Sequence, residues 1–397
     1  MNFYVLTLIK AAIITFVLLT ALAYLQWIER KVLAHIQLRM GPRFVGPHGL
    51  LQPLADVIKL LTKEDLLPAY TNRFFYMLAP FLAVFMALIP IAVIPFGPEV
   101  EIFGQRTWMQ LTDIKIGILF VLAISSVGVY GVALAGWASN NKYALLGGLR
   151  SSAQMISYEL PLAIAIAAPL LLANTLSLRE ISNLQEGYYL GFIPRWAIFQ
   201  MPAPQIISFF IFLIAAFAET NRVPFDLPEA ENELVAGFHT EYSSMKFAAF
   251  FMAEYCNMVT VTAIATILFL GGWHPPFPAE YGSNFVPSLL FGGAGLISIY
   301  HGLNPARPLD RITLPLAGLA FVGLAILFAI PPLQPYIVPV FWFVAKTGLL
   351  LFLFIWIRGT LPRFRYDQLM RFAWTFLFPV ALLNLLVTGL LVAVFTK

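Results

Sequence analysis

The sequence opens with MNFYVLTLIKAAIITFVLLTALAYLQWIER, residues 1–30, and up to residue 28 this stretch holds a single charged side chain, Lys10. A helix needs about 20 consecutive apolar residues to cross a bilayer. The run is longer than the apolar core of a secretory signal, and no small-residue cleavage site follows it. We therefore expect it to form a retained first membrane span.

The composition extends this expectation to the whole chain. The 397 residues are 60% hydrophobic and 11% charged, with a mean hydropathy of +0.82, whereas soluble domains hold about 25% charged residues. We expect an all-α, polytopic helix bundle in which 1–397 form a single integral membrane domain. The net charge of +4 therefore says little about nucleic acid.

The sequence predicts no redox centre in this chain. The single cysteine, Cys256, excludes an internal disulfide framework and any iron–sulfur cluster or zinc finger held by several cysteines. The five histidines do not form a facing pair within spans, as a membrane haem would require.

Ten apolar runs are candidate spans, although 205–219 and 286–302 are short. The Gly-rich run 286–302 could instead be re-entrant or peripheral. The ten runs cover about residues 4–28, 74–96, 115–137, 155–173, 205–219, 247–270, 286–302, 312–331, 338–357 and 373–395.

Lysine and arginine are concentrated in alternate loops, which predicts the orientation, since these residues accumulate on the cytoplasmic side. The loops 28–73, 138–154, 219–246, 303–311 and 358–371 are the basic ones. We expect these loops to face the cytoplasm of a bacterial plasma membrane, with both termini on the outer side.

The first basic loop, 28–73, contains an amphipathic stretch. In GLLQPLADVIKLLTKED, residues 49–65, apolar residues recur at helical spacing opposite a face with Asp56. This pattern favours a helix lying in the membrane interface. It is either a plain anchor or one wall of a cavity for a lipid-soluble substrate. Arg30, Arg39 and Asp56 are then candidate partners for a buried ion in that cavity.

The loop 219–246 is unusually acidic. Its core, AETNRVPFDLPEAENELVAGFHTEY at 218–242, holds six carboxylates. A helix N-cap at Asp226 and a first-turn acid at Glu229 explain two of them. Glu229 and Glu233 share a helix face and repel, with Glu231 between them. Partial burial would raise their pKa values and let them share protons, whereas the alternative is a solvated acidic face.

Three ionisable residues lie inside predicted spans, where they usually face a bundle interior or water. Glu159 is near the start of its span, Glu254 is about two turns inside, and Lys346 is well inside. Lys346 could snorkel to an interface, and Glu254 could be a lone protonated carboxyl. The last basic loop, IRGTLPRFRYDQLMRF at 357–372, suits contact with anionic lipid or docking of a soluble partner.

Several of these motifs resemble the H subunit of bacterial NADH:quinone oxidoreductase, respiratory complex I, which is subunit 1 in organelles. The resemblance covers about residues 1–275 and 336–397. Its residues are ERKVLAHIQLRMGP at 29–42, GPHGLLQPLADVIKLLTKED at 46–65, LRSSAQMISYELP at 149–161, the acidic loop with AEY at 253–255, and RGTLPRFRYDQLM at 358–370.

The resemblance implies a membrane component that forms the quinone entry chamber and couples quinone reduction to proton translocation. It implies ubiquinone or menaquinone as substrate, with FMN and iron–sulfur clusters in partner subunits. Those partners would be soluble quinone-site and iron–sulfur subunits docked on the cytoplasmic loops, and neighbouring small membrane subunits. The implied proton pathway is Glu159, Glu219, Asp226, Glu229, Glu231, Glu233 and Glu254, and the implied chamber residues are Arg30, Arg39, Asp56 and Arg358.

The chain departs from the family pattern in two places. Residues 280–335 look like an insertion with two extra hydrophobic segments, and their distance from the motifs in sequence predicts no role in the chemistry. Some members carry a carboxylate in the third span, where this chain has Gly131. A homologous subunit of a membrane-bound hydrogenase or ferredoxin-type complex is one alternative. A stand-alone cation or proton transporter is another, although no internal repeat supports it.

Overall fold

The computed structural model describes residues 3–102, 105–226, 236–305 and 308–395, which form a bundle of helices. These helices are α1 (Phe3–Ile36), α2 (Gln52–Thr62), α3 (Arg73–Leu88), α4 (Gly117–Ala138), α5 (Lys142–Ala173), α6 (Leu178–Leu184), α7 (Ile206–Glu219), α8 (Ser244–Phe269), α9 (Val286–Leu303), α10 (Asp310–Ala329), α11 (Gln334–Thr360), α12 (Tyr366–Phe372) and α13 (Phe378–Phe395). A π-helical turn, Ala373–Leu377, joins the last two.

The expected all-α polytopic architecture is confirmed. Within the described residues, nine helical segments are long and apolar enough to cross a membrane, and α7, with 14 residues, is a shorter apolar helix. The run whose path was left open, 286–302, forms the regular helix α9. Two small antiparallel ribbons were not expected; they pair Glu99–Ile102 with Gln105–Trp108 and Tyr188–Tyr189 with Ile193–Pro194.

Loop contacts define two faces of the bundle. On the first, which we call the basic face, Asn72 N donates to Ala138 O, Phe364 N donates to Pro224 O, and Leu66 N donates to the Ser243 hydroxyl. On the opposite face, Lys10 Nζ donates to Trp108 O at 2.8 Å, and Ile118 N donates to Leu176 O. The predicted basic loops 28–73, 219–246 and 358–371 therefore lie together, whereas most of the predicted loop 138–154 is the first part of α5.

Helix α8 lies at the centre of the bundle, because it packs against α3, α7 and α11. Its second half is almost completely buried from Val261 to Phe269. Small residues allow the neighbouring helices to approach closely: a Cβ at Gly136 would lie 2.6 Å from Ala144 O. This packing holds α4 against α5 next to the acidic side chains described below.

A buried lysine on α11 holds the segment that follows α8 at the opposite face. Lys346 Nζ donates to the carbonyls of Leu270, Gly272 and His274 at 2.6, 2.9 and 2.6 Å, and it lies 4.3 Å from the centre of the Trp196 ring. An ammonium ion has three N–H groups and can donate to all three carbonyls. Lys346 is 7% exposed, so its side chain faces the bundle interior, as expected for an ionisable residue inside a span.

Helices α9 and α10 form a hairpin, the segment expected to be an insertion. The pair is closely packed, since a Cβ at Gly318 would meet Gly295 O at 2.8 Å. Much of its outer surface is apolar and exposed, including Leu289 and Leu316. The apolar residues Leu54, Val57, Ile58 and Leu61 of α2 are also exposed, as expected for a helix lying on a membrane surface.

Candidate functional site

A buried carboxylate at the end of α1 organises the basic face. Glu29 is 2% exposed and accepts hydrogen bonds from Arg222 at 3.0 Å, from the Tyr255 hydroxyl at 2.8 Å and from Arg358. These partners come from the loop after α7, from α8 and from α11. A buried charge of this kind is stable only when it is paired and hydrogen-bonded, and Glu29 meets both conditions.

Arg222 joins two carboxylates. Its Nε lies 2.5 Å from Glu254 Oε1, its Nη1 lies 3.0 Å from Glu29 Oε1, and its guanidinium lies 4.3 Å from the Tyr255 ring centre. Burial alone would lower the pKa of Arg222, but the carboxylates of Glu254 and Glu29 raise it above its usual value. Arg222 is therefore a fixed cation, and Glu254 has a charged partner instead of standing alone.

A second ion pair lies at the start of the acidic segment. Asp226 Oδ2 lies 3.0 Å from Arg363 Nη2, in the loop after α11. Burial raises the pKa of Asp226 despite the opposing charges of Arg363, Arg358 and Arg222. The carboxyl is thus placed to bind a proton more readily than an ordinary aspartate.

A cavity of about 60 Å³ lies inside the bundle between α3, α4, α5, α7 and α8. Its lining includes the carboxylates Glu219 and Glu254 with the polar side chains Asn221, Asn257 and Ser125. A water occupies about 30 Å³ in the liquid and needs two or more polar partners in a protein. The cavity therefore has room and hydrogen-bonding groups for water between the two carboxylates.

Two neighbouring serines of α4 connect the next pair of acids. Ser126 Oγ donates to Glu159 of α5, and Ser125 hydrogen-bonds to Glu219 of α7. Glu159 and Glu219 are close enough to repel each other. The structure thus brings Glu159, Glu219 and Glu254 together, although they lie on three different helices.

Gly131 packs directly against the backbone of α3. A Cβ at this position would lie 3.0 Å from Ala83 N and 3.2 Å from Ala79 O, in the backbone of α3. A carboxylate therefore has no room at Gly131. One turn earlier, Gly128 lines the cavity, and a Cβ there would meet only Met86, at 3.9 Å.

The residues expected in a quinone chamber separate into two groups. Arg30 Nη1 lies 2.7 Å from Asp56 Oδ2, which links α1 to α2, and Arg358 contacts Glu29 next to Arg30. Arg39 lies in an exposed loop, where its backbone N–H donates to Ala34 O. Glu229, Glu231 and Glu233 lie outside the described residues.

The sequence reasoning missed Glu29, Arg222 and Tyr255. Glu29 immediately precedes Arg30 at the polar end of a predicted span, where a charge usually marks only the interface. The sequence did hold a signal for Glu29: an acid at the end of an apolar span, next to the cations Arg30 and Lys31, predicts a partner elsewhere in the fold. Among the described residues, no group of three His, Cys, Asp or Glu side chains could hold a metal ion.

A family model and the similar proteins point to the same family. The model of the family described as NADH dehydrogenase matches residues 9–389. The chain is 67% identical to the NADH-quinone oxidoreductase H subunit numbered 1 in Solibacter usitatus, covering 100% of this chain and 99% of the relative. It is 50% identical to the H subunit numbered 2 in Koribacter versatilis, covering 98% of both chains, and 46% identical to the H subunit of Protochlamydia amoebophila, covering 93% and 92%.

Proposed function

The chain belongs to the NADH dehydrogenase family as a membrane subunit of NADH-quinone oxidoreductase, and we propose that it forms the quinone entry chamber and couples quinone reduction to proton translocation. The observation that carries this proposal is the cavity lined by Glu219 and Glu254, next to the network of Glu254, Arg222 and Glu29. It lies between the basic face and the bundle interior.

The chamber is proposed to lie at the basic face near α1, α2 and α11. Arg30, Asp56 and Arg358 connect these helices through ion pairs, and Arg39 lies in the loop between α1 and α2. The exposed apolar residues of α2 give a lipid-soluble quinone a surface that is continuous with the membrane. Quinone tails are apolar, so this route keeps them out of water.

Reduction of a quinone to a quinol consumes two electrons and two protons. The electrons come from outside this chain. The negative charge that develops at the chamber changes the charge balance around Glu29 and Arg222. Glu254, paired with the same arginine, then exchanges a proton with Glu219 through water in the cavity. Ser125 and Ser126 of α4 join Glu219 to Glu159, because each serine hydrogen-bonds to one of these carboxylates.

Asp226, Glu229, Glu231 and Glu233 complete the proposed acidic chain at the basic face. The raised pKa of Asp226 supports a role in holding protons there.

The remaining proposals, on partner subunits and location, follow from the family. FMN and iron–sulfur clusters belong to partner subunits, soluble quinone-site subunits dock on the basic loops, and small membrane subunits pack alongside. The chain lies in a bacterial plasma membrane with both termini outside.

The test is to replace Glu254 and Glu219 separately with glutamine in the assembled complex. We expect NADH:quinone turnover and coupled proton uptake in vesicles to fall by about tenfold or more, because a positioned proton-transfer group contributes roughly 10²–10⁴-fold to rate. Electron transfer to a hydrophilic acceptor is expected to stay unchanged.

The matched control is Glu99→Gln, which changes an exposed acid on the opposite face and should leave both rates intact. The pair Glu231→Gln and Glu233→Gln tests the acidic segment in the same assay. Normal turnover and normal proton stoichiometry in Glu254→Gln and Glu219→Gln would show that the cavity is not part of the coupling path.

A further inference from the structure

The α9–α10 hairpin touches the loop in front of α2. Asp310 Oδ1, at the first residue of α10, lies 3.2 Å from His48 Nε2. The two residues are 262 positions apart. This polar contact was not expected, because the hairpin lies far from the quinone-site motifs in sequence.

The pair is partly shielded from water, since the Asp310 side chain is 12% exposed and the His48 side chain 35% exposed. An acid in the first turn of a helix is favourable on its own, because it interacts with the helix dipole. That interaction explains an aspartate at the start of α10, but it does not explain why a histidine from another loop lies against it.

The loop that presents His48 is tightly constrained. His48 has a φ of +53° between Gly46 at +71° and Gly49 at +77°, a region that residues with a side chain rarely adopt. Leu51 N donates to Val45 O at 3.2 Å, which closes the turn. The direction of the His48 side chain is therefore set by a folded turn rather than by a free loop.

The turn leads directly into the proposed entrance. Only residues 49–51 separate His48 from α2, which begins at Gln52. Gln52 Nε2 donates to Asp56 Oδ1 at 3.2 Å, and Asp56 pairs with Arg30 of α1 at 2.7 Å. A continuous set of contacts thus runs from Asp310 through His48 and α2 to Arg30, beside Glu29.

The other attachment of the hairpin is aromatic. Phe291 of α9 and Phe328 of α10 meet Phe341 of α11 with ring centres 5.9 and 5.7 Å apart. Phe328 is near the end of α10 that faces away from Asp310. The hairpin is therefore held by rings toward the opposite face and by the His48–Asp310 pair at the basic face.

We propose that the α9–α10 hairpin is a brace for the quinone entrance, and that Asp310 is a positioning residue that fixes α2 through His48. The ligand is a quinone with an isoprenoid tail, which must pass α2 to leave the bilayer. This inference rests on the proposed function. It assigns the hairpin a part in substrate entry, with no part in electron or proton transfer.

The test uses Asp310→Asn, His48→Gln and the double variant in the assembled complex, with quinones of long and short tail. We expect each single variant to raise the KM for the long-tailed quinone roughly two- to fivefold, the range that loss of one partly exposed polar contact produces. The double variant should add nothing further, because both changes break the same contact. The kcat and the electron transfer to a hydrophilic acceptor should not change.

Glu280→Gln is the matched control, since it removes an exposed acid from the same segment at the opposite face and should leave KM unaltered. Asp310→Glu should retain the normal KM. Asp56→Asn marks the entrance itself and should raise KM. If Asp56→Asn raises KM while Asp310→Asn and His48→Gln do not, the brace is wrong and the proposed entrance stands. The same conclusion holds if the effects of Asp310→Asn and His48→Gln simply add in the double variant.

If Asp56→Asn and both hairpin-contact variants all leave KM unchanged, the entrance is placed wrongly and the brace is rejected with it. If Asp310→Asn fails to assemble, His48→Gln changes the same contact from the other side and decides the outcome by itself.

Discussion

At the scale of single residues, the network around Glu29 was the part least accessible to sequence reasoning. Its partners Arg222 and Arg358 are 193 and 329 positions away, so no local pattern joins them. The role of a buried carboxylate depends on which cations fold against it. Removing one partner from a buried ion pair costs about 3–5 kcal/mol, so Glu29 determines both the stability and the charge of this region.

His239 gives a prediction about pH. It is buried between α5 and α8, and burial lowers its pKa to about 4. Between about pH 4 and 6.5 the unfolded chain binds more protons at this position than the folded chain. Stability should therefore fall as the pH falls through this window, by up to about 1.4 kcal/mol per pH unit.

The measurement is the apparent Tm of the detergent-purified complex from pH 7.5 to 5, for the parent and for His239→Asn. The variant should be less stable at pH 7.5 but lose less Tm on acidification. His35→Gln, at an exposed histidine, is the control and should follow the parent. His274 also has a pKa lowered to about 4, so only the difference between variant and parent reports on His239. Parallel curves would contradict the assignment.

At the scale of helices, the hydropathy pattern predicted most elements because each span must satisfy its backbone hydrogen bonds internally. The run predicted at 247–270 is α8, Ser244–Phe269, and the run at 205–219 is α7, Ile206–Glu219. Boundaries at the polar ends were less accurate, since α12 begins at Tyr366, before the predicted start at 373. The side chains there are polar, and tertiary contacts extend the helix.

The contact between α3 and α4 yields a prediction with a built-in control. Gly131→Ala would press a methyl group against the α3 backbone at Ala83 and Ala79, and overpacking of this kind costs about 1–3 kcal/mol. Gly128→Ala places the same methyl in the cavity wall, where it meets only Met86, and alanine gains about 0.8–1 kcal/mol over glycine in a helix.

We therefore expect Gly131→Ala to lower the Tm of the complex and its yield, and Gly128→Ala to leave both equal or higher. The comparison removes helix propensity as an explanation, because both variants exchange the same residue types in one helix. Equal losses in both variants would show that the helix contact at Gly131 is not close.

At the scale of the whole molecule, the arrangement of loops predicts how the chain sits in the membrane. The basic loops lie together on one face, and lysine and arginine favour the cytoplasmic side. The chain also offers a simple probe, because its single cysteine, Cys256, is fully buried. An introduced cysteine is then the main site for a membrane-impermeant maleimide.

Tyr70→Cys and Leu190→Cys form a matched pair, since Tyr70 is 82% exposed on the basic face and Leu190 is 85% exposed on the opposite face. In intact cells with a permeable outer envelope, we expect the reagent to label Leu190→Cys and to leave Tyr70→Cys unlabelled. Inverted vesicles should reverse the result, and denatured samples should label both. Labelling of Tyr70→Cys from outside would invert the orientation and put the chamber residues Arg30 and Asp56 on the outer side. There they could not meet soluble redox subunits on the cytoplasmic side, so this single result decides between the proposed docking face and its opposite.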